Sequence, residues 1–195
     1  MDRRDFLRSL ALGAAGAGLA QATGSAQASG AVMGEDGLYV QPWFLESFLE
    51  LADDLTTATE SGKRFAVIWE LRGCPYCKQM HKVNFARPDV SGYVRQHFDI
   101  LQLNLIGSRL VTDLDGEEMS EKQLAAKYGV RFTPTIQFFP ESIDGLAEMP
   151  AVARESARLP GYLPPDDFLA MFRFVQEKAY RQGSFKDYLA AAKSG

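Results

Sequence analysis

The two cysteines of this chain stand three residues apart, in Cys74-Pro75-Tyr76-Cys77, and no third cysteine exists to pair with either. Proline is well tolerated at the first position of a helix, where its missing N–H costs nothing, so this spacing predicts Cys74 at the N-cap, Pro75 at the first helical position and Cys77 one turn further in. A sulfur at the cap lies beside the free N–H groups of the first turn and the positive end of the helix dipole, both of which favour thiolate over thiol. Such placement brings a cysteine from about 8.5 down to roughly 3.5–7.5. Each pKa unit is about 1.4 kcal/mol of preference for the charged form, more than an ordinary surface ion pair supplies. Cys74 is therefore expected to attack a disulfide, and Cys77, shielded by the helix, to resolve the mixed disulfide that results.

Other uses of a cysteine pair fit less well. Haem attachment needs a histidine directly after the second cysteine, and that position is Lys78. Structural zinc wants four ligands, whereas Cys74, Cys77 and His81 make three, with only His97 left over. A purely structural disulfide closing so short a loop constrains the unfolded chain little. No metal and no cofactor beyond the redox pair is expected.

The elements that must hold this pair can be read from patterning. Over 42–61, Phe44, Leu45, Phe48, Leu49, Ala52 and Leu55 recur at helical spacing, predicting one helix with Pro42 at its start. Residues 64–71 form a nearly unbroken apolar run, as in a central strand covered on both faces. A helix follows from Pro75, breaks before Pro88 and resumes toward His97, and 98–106 reads as a second buried strand. Ser120 and Gln123 form a capping box that starts a helix ending at Gly129. Residues 130–139 look strand-like but are interrupted at Thr133-Pro134, 158–162 suggest a short strand, and a last long helix opens at Pro164-Pro165-Asp166-Asp167. This order predicts an α/β fold with a central mixed sheet flanked by helices, in one domain.

The 195 residues include 21 Lys plus Arg against 25 Asp plus Glu, a formal charge of −4, which supplies no basic surface for nucleic acid. The amino terminus follows another logic: Arg3-Arg4, Phe6-Leu7 and a Leu/Ala/Gly stretch predict a cleavable signal over 1–28. The paired arginines resemble a twin-arginine export signal, with Asp2 where Ser or Thr is common and an ordinary secretory signal as the alternative. Ala26 and Ala28 give an A-x-A cleavage spacing, and Ala20-Gln21-Ala22 a second. The apolar run is too short and glycine-rich for a stable membrane anchor. The expected organisation is thus signal at 1–28, flexible joint at 29–41, folded domain at 42–183 and helical tail at 184–195, in an exported, thiol-oxidising location such as the periplasm.

Trp69-Glu70-Leu71-Arg72-Gly73-Cys74-Pro75-Tyr76-Cys77-Lys78-Gln79-Met80-His81, together with Arg131-Phe132-Thr133-Pro134-Thr135, resembles exported thioredoxin-family proteins, above all the thioredoxins of periplasmic sulfur-oxidation systems, the SoxW type. The likeness covers about residues 42–180. It implies a thioredoxin fold in which Pro134 is a cis proline facing the disulfide, Thr133 offers its backbone to an extended substrate segment, and Pro75 and Tyr76 border the substrate. It also implies a reductase acting on protein disulfides or persulfides, recharged by a membrane thiol carrier. A disulfide oxidase or isomerase, differing in potential rather than motif, and a non-enzymatic binding domain with a redox-sensitive disulfide are the alternatives.

The chain departs from the thioredoxin pattern in three places. The dipeptide between the cysteines is Pro-Tyr, as in glutaredoxins, rather than Gly-Pro. The buried aspartate that thioredoxins carry six residues before the first cysteine is replaced by Ile68. Glu70, on the same strand face, is the acid placed to relay the Cys77 proton, against a solvated strand end paired with Arg72. Residues 107–119 are longer than the family needs, as either a recognition element or a plain surface hairpin. His81 is expected to be a partly exposed helix residue, and 113–117, despite a superficial likeness to a calcium loop, a simple turn.

Overall fold

A computed structural model describes residues 30–194. The expected signal at 1–28 and its cleavage sites lie outside the described residues. Among the described residues, no helix is long and apolar enough to cross a membrane.

Residues expected to form a flexible joint instead build a small antiparallel hairpin, β1 (Val32–Met33) and β2 (Tyr39–Val40), turned at Gly37 with φ +80°. A Cβ at Gly37 would sit 2.6 Å from Nε of Arg72, so packing as well as backbone conformation calls for glycine there. The helix predicted from Pro42 does not start there: α1 spans Leu51–Glu60. The preceding stretch runs along the edge of the main sheet as a strap, its Leu45 N–H donating to Ile100 O, its Ser47 Oγ accepting from Leu49 N–H, and Leu49 at φ +66°. Phe44 is buried and Phe48 is fully exposed, so the apolar spacing there was not that of one buried helix face.

β3 (Arg64–Glu70) is buried along its whole length. It leads into α2 (Pro75–Gln79), a π-helical turn at Met80–Asn84, α3 (Pro88–His97) and β4 (Phe98–Asn104). Pro88 opens α3 at a position where its missing N–H is harmless. β5 (Leu110–Thr112) and β6 (Glu118–Ser120) form a second hairpin, and α4 (Glu121–Lys127) begins with the predicted capping box on Ser120 and Gln123. β7 (Thr135–Phe138), β8 (Ala157–Pro160), α5 (Pro165–Gln176) and α6 (Phe185–Ser194) complete the chain.

The main sheet has the order β4-β3-β7-β8, with β3 parallel to β4 and the other two pairings antiparallel. Alternation along β3 divides the core. Ala66 and Ile68 pack with Phe98, Phe138, Phe168 and Phe172 beneath α3 and α5, while Phe65, Val67 and Trp69 pack with Leu55, Leu124 and Tyr128 beneath α1 and α4. An unbroken apolar strand is therefore required, since both faces are covered. Phe172 meets Phe98 and Phe138 edge-on at 4.9 and 5.3 Å, geometry worth about 0.5–1.5 kcal/mol per pair beyond burial. The result is the α/β fold expected from the sequence, with a mixed sheet between helical layers, and it delivers the carboxyl end of β3 to the amino end of α2.

Candidate active site

Cys74 occupies the N-cap of α2 in extended conformation (φ −67°, ψ 116°), with Pro75 directly after it. Its Sγ accepts the backbone N–H of Cys77 at 3.1 Å. The two sulfurs are joined in a disulfide with Cα atoms 5.3 Å apart. Their exposure differs in the way the chemistry asks: Cys74 is half-buried and Cys77 is 3% exposed. Tyr76 is exposed and stacks on Tyr162, ring centroids 6.1 Å apart.

Across the disulfide lies the loop leading into β7. The Thr133-Pro134 peptide is cis, Pro134 is buried, and the carbonyl oxygen of Thr133 is 3.6 Å from Cys74 Sγ. Neighbouring Phe132 is exposed, and the loop is pinned by Thr135 Oγ1 donating to Phe132 O and by Gly161 N–H donating to Pro134 O. Exposed aromatic side chains at Tyr76 and Phe132 thus stand to either side of the half-buried sulfur and the cis-proline loop.

On the other side, the amino-terminal hairpin walls a pocket of about 270 Å³ that reaches both cysteines. Met33, Leu38 and Tyr39 come from the hairpin, Glu70 and Leu71 from the end of β3, and Lys78 from α2. The structure brings Glu70 to the same pocket as Cys77, although Glu70 is fully buried and is paired with His81 rather than with Arg72. Its Oε1 lies 2.9 Å from His81 Nε2, and Gln102 donates to its Oε2.

His81 corrects the expectation of a partly exposed helix residue: it is 1% exposed, enclosed by Tyr39, Phe44 and Phe85 at centroid distances of 6.1, 5.6 and 5.7 Å. The signal was available in part, because His81 follows Cys77 by four residues and so shares its inward face. What could not be read was Gln41, forty residues upstream, whose Nε2 approaches His81 Nδ1 at 3.2 Å.

Residues 113–117 form the turn of the β5–β6 hairpin, and Asp113 there is buried against Arg154, Lys127 and Tyr128. Among the described residues no group of three or more His, Cys, Asp or Glu is arranged to hold a metal ion.

A mixed sheet with helices on both faces, a cysteine pair at a helix start and a cis-proline loop beside it define a thioredoxin-fold domain. The sequence profile of the thioredoxin-like domain matches residues 51–176, and the chain belongs to that family. A thioredoxin-fold protein from Helicobacter pylori is 22% identical, covering 73% of this chain and 90% of its own, with a TM-score of 0.51. A thioredoxin from Thermus thermophilus is 26% identical over 63% of this chain and 81% of its own, with a TM-score of 0.46. The oxidised C-terminal domain of DsbD from Neisseria meningitidis is 18% identical over 63% and 90%, with a TM-score of 0.41. No curated protein sequence matches the chain. Family membership together with the Cys74–Cys77 disulfide makes this a thiol–disulfide oxidoreductase.

Proposed function

We propose that the protein is an exported protein-disulfide reductase of the periplasm, which passes two electrons from Cys74 and Cys77 to a disulfide or persulfide on a protein partner. The observation that carries this reading is the unequal placement of the sulfurs: Cys74 at the helix start within 3.6 Å of the Thr133 carbonyl, Cys77 buried behind it.

In the reduced protein the Cys74 thiolate attacks one sulfur of the substrate, the substrate bond breaks, and its other sulfur leaves with the electron pair. The Thr133 backbone edge holds the substrate segment, with Pro134, Pro75 and Tyr76 bordering it. Cys77 then loses its proton, with Glu70 as acceptor, attacks Cys74 Sγ and expels the substrate as a thiolate. The protein is oxidised by two electrons and the substrate reduced by two. A membrane thiol carrier restores the dithiol. The likeness to sulfur-oxidation thioredoxins and the paired Arg3-Arg4 support the substrate class and the export route. Neither nucleic acid nor a stable membrane anchor has a part in this reading.

Insulin reduction tests it. The wild-type protein should precipitate insulin chains in the presence of a dithiol donor, and Cys74→Ser should not. Equal turnover by both would end the catalytic reading.

A further inference from the structure

Behind the disulfide, four polar side chains from four separate parts of the chain meet in an otherwise apolar interior. Glu70 ends β3, His81 lies in the π-helical turn after α2, Gln102 is on β4, and Gln41 follows the amino-terminal hairpin. Glu70, His81 and Gln41 are at most 3% exposed. Polar groups buried in this way cost several kcal/mol unless their hydrogen bonds are met, and here they are.

The network has a direction. The amide nitrogen of Gln41 faces His81 Nδ1 at 3.2 Å and the His81 carbonyl at 3.4 Å. A donor on Nδ1 leaves the imidazole proton on Nε2, which points at Glu70 Oε1 and Oε2, 2.9 and 3.1 Å away. Gln102 uses its amide to donate both to Glu70 Oε2 and, at 2.7 Å, to the carbonyl of Tyr39. Glu70 is thus clamped from two sides, and it and Cys77 both line the same pocket.

We propose that His81 is a positioning residue for the redox cycle: seated one helical turn behind Cys77 and oriented by Gln41, it holds the Glu70 carboxylate where it takes the proton from the Cys77 thiol. This rests on the proposed dithiol cycle and assigns how its second step is assisted. The Cys77 S–H bond breaks, the proton passes to Glu70, and the sulfur keeps the electron pair with which it attacks Cys74. The proton later returns to the departing thiolate or to solvent, so the network ends each cycle unchanged. The other charged or titratable groups around the pair are Tyr39, Lys78 at the pocket rim, Lys82 over the Tyr39 ring, Arg72 beside Gly37, and Arg109, which donates to Gln102 O.

The test separates the two thiol steps. Reduced protein mixed with dithiobis(nitrobenzoate) releases one coloured thiolate when Cys74 attacks and a second when Cys77 resolves, so stopped-flow absorbance reads both rates against pH. Glu70→Gln and His81→Phe should each slow the second phase by about tenfold to a hundredfold near neutral pH, as expected for loss of a placed proton acceptor. In both, that phase should climb about tenfold per pH unit below the thiol pKa, the behaviour of a thiol that must ionise unaided. The first phase should stay within about twofold, and His81→Gln, which can still place an amide donor near Glu70, should recover most of the loss. If His81→Phe fails to fold, Gln102→Leu and His81→Gln serve in its place, with a second-phase loss expected from the former and near wild-type behaviour from the latter. Second-phase pH profiles superimposable on wild type in folded Glu70→Gln and His81→Phe proteins would overturn the proposal and, with it, Glu70 as the proton acceptor, while insulin reduction lost in Cys74→Ser would still support the reductase reading of the cysteine pair.

Discussion

The backbone N–H of Cys77 donates to Sγ of Cys74 over 3.1 Å. The residue that buries its own side chain thereby solvates the sulfur of its partner. Pro75, unable to donate, sits where no donor is missed, and the first turn of α2 is free to stabilise negative charge on Cys74. The proposed division of labour between the two cysteines rests on this local geometry, before any substrate is considered.

A trapped complex should form when the resolving sulfur is removed. Cys77→Ser is expected to accumulate a covalent adduct through Cys74 with the physiological partner, reversible by dithiothreitol and visible on non-reducing gels. Recovery of one or two partners by mass spectrometry fits a sulfur-oxidation specialist, and recovery of many unrelated proteins a general reductant. Absence of any adduct, with Cys74 reduced, would contradict the assignment of Cys77 as the resolving residue.

Arg154 holds the β5–β6 hairpin to the body. Its Nη1 lies 2.8 Å from Asp113 and its Nη2 2.8 Å from Asp115, while Tyr128 donates to Asp113 at 2.7 Å. Asp113 is fully buried, so truncating one partner leaves charge without its mate. Arg154→Ala should cost about 3–5 kcal/mol in urea unfolding, the range for breaking a buried pair. A loss under about 1 kcal/mol would show that Lys127, 2.7 Å from Asp113, suffices alone.

The same cluster sets an acid limit. Burial would raise the Asp115 carboxyl, but hydrogen bonds from Lys127 and Arg154 outweigh it and hold the group well below the usual carboxylate range. A carboxylate depressed in the folded state contributes stability above its unfolded pKa, near 3.9, and loses it as pH falls further. The urea midpoint should therefore decline below about pH 4, and Asp115→Asn should flatten that decline. On the alkaline side, burial and then the bond to Asp113 push the Tyr128 hydroxyl up, so its contribution is present below about pH 10 and is lost as pH rises beyond that value. Unchanged acid slopes in Asp115→Asn would contradict this account.

Legibility in the sequence tracked the range of the interaction. Cys74, Pro75 and the Ser120–Gln123 box obey rules that span one turn of helix, and the structure has them where spacing puts them. β3 was readable because burial on two faces leaves an unbroken apolar run. The segment before α1 misled because Phe44, Phe48 and Leu55 share a helical period by position, while the Leu45–Ile100 hydrogen bond and the left-handed Leu49 make the chain a strap. The Glu70–His81 pair was beyond reach for a related reason. Its bond joins a strand end to a helix, and its orientation comes from Gln41 and Gln102, whose distance in sequence carries no local signature.

The hairpin that walls the pocket should be sensitive at its turn. Gly37→Ala places a Cβ in a left-handed conformation and against Arg72, and is expected to destabilise the protein by about 1–2 kcal/mol. Thermal unfolding checks the size of the effect. Amide exchange should rise first in residues 32–40 if the strain is local, whereas uniform exchange across β3 and β7 would show that the hairpin is integral to global stability.

The central claim is that Cys74 is held ionised and reachable while Cys77 is not. The direct measurement is the iodoacetamide alkylation rate of the reduced protein against pH, with peptide mapping to assign the modified sulfur. Modification should fall on Cys74 alone, with an inflection well below the ~8.5 of free cysteine. An inflection at the free-cysteine value, or Cys77 reacting first, would contradict the account.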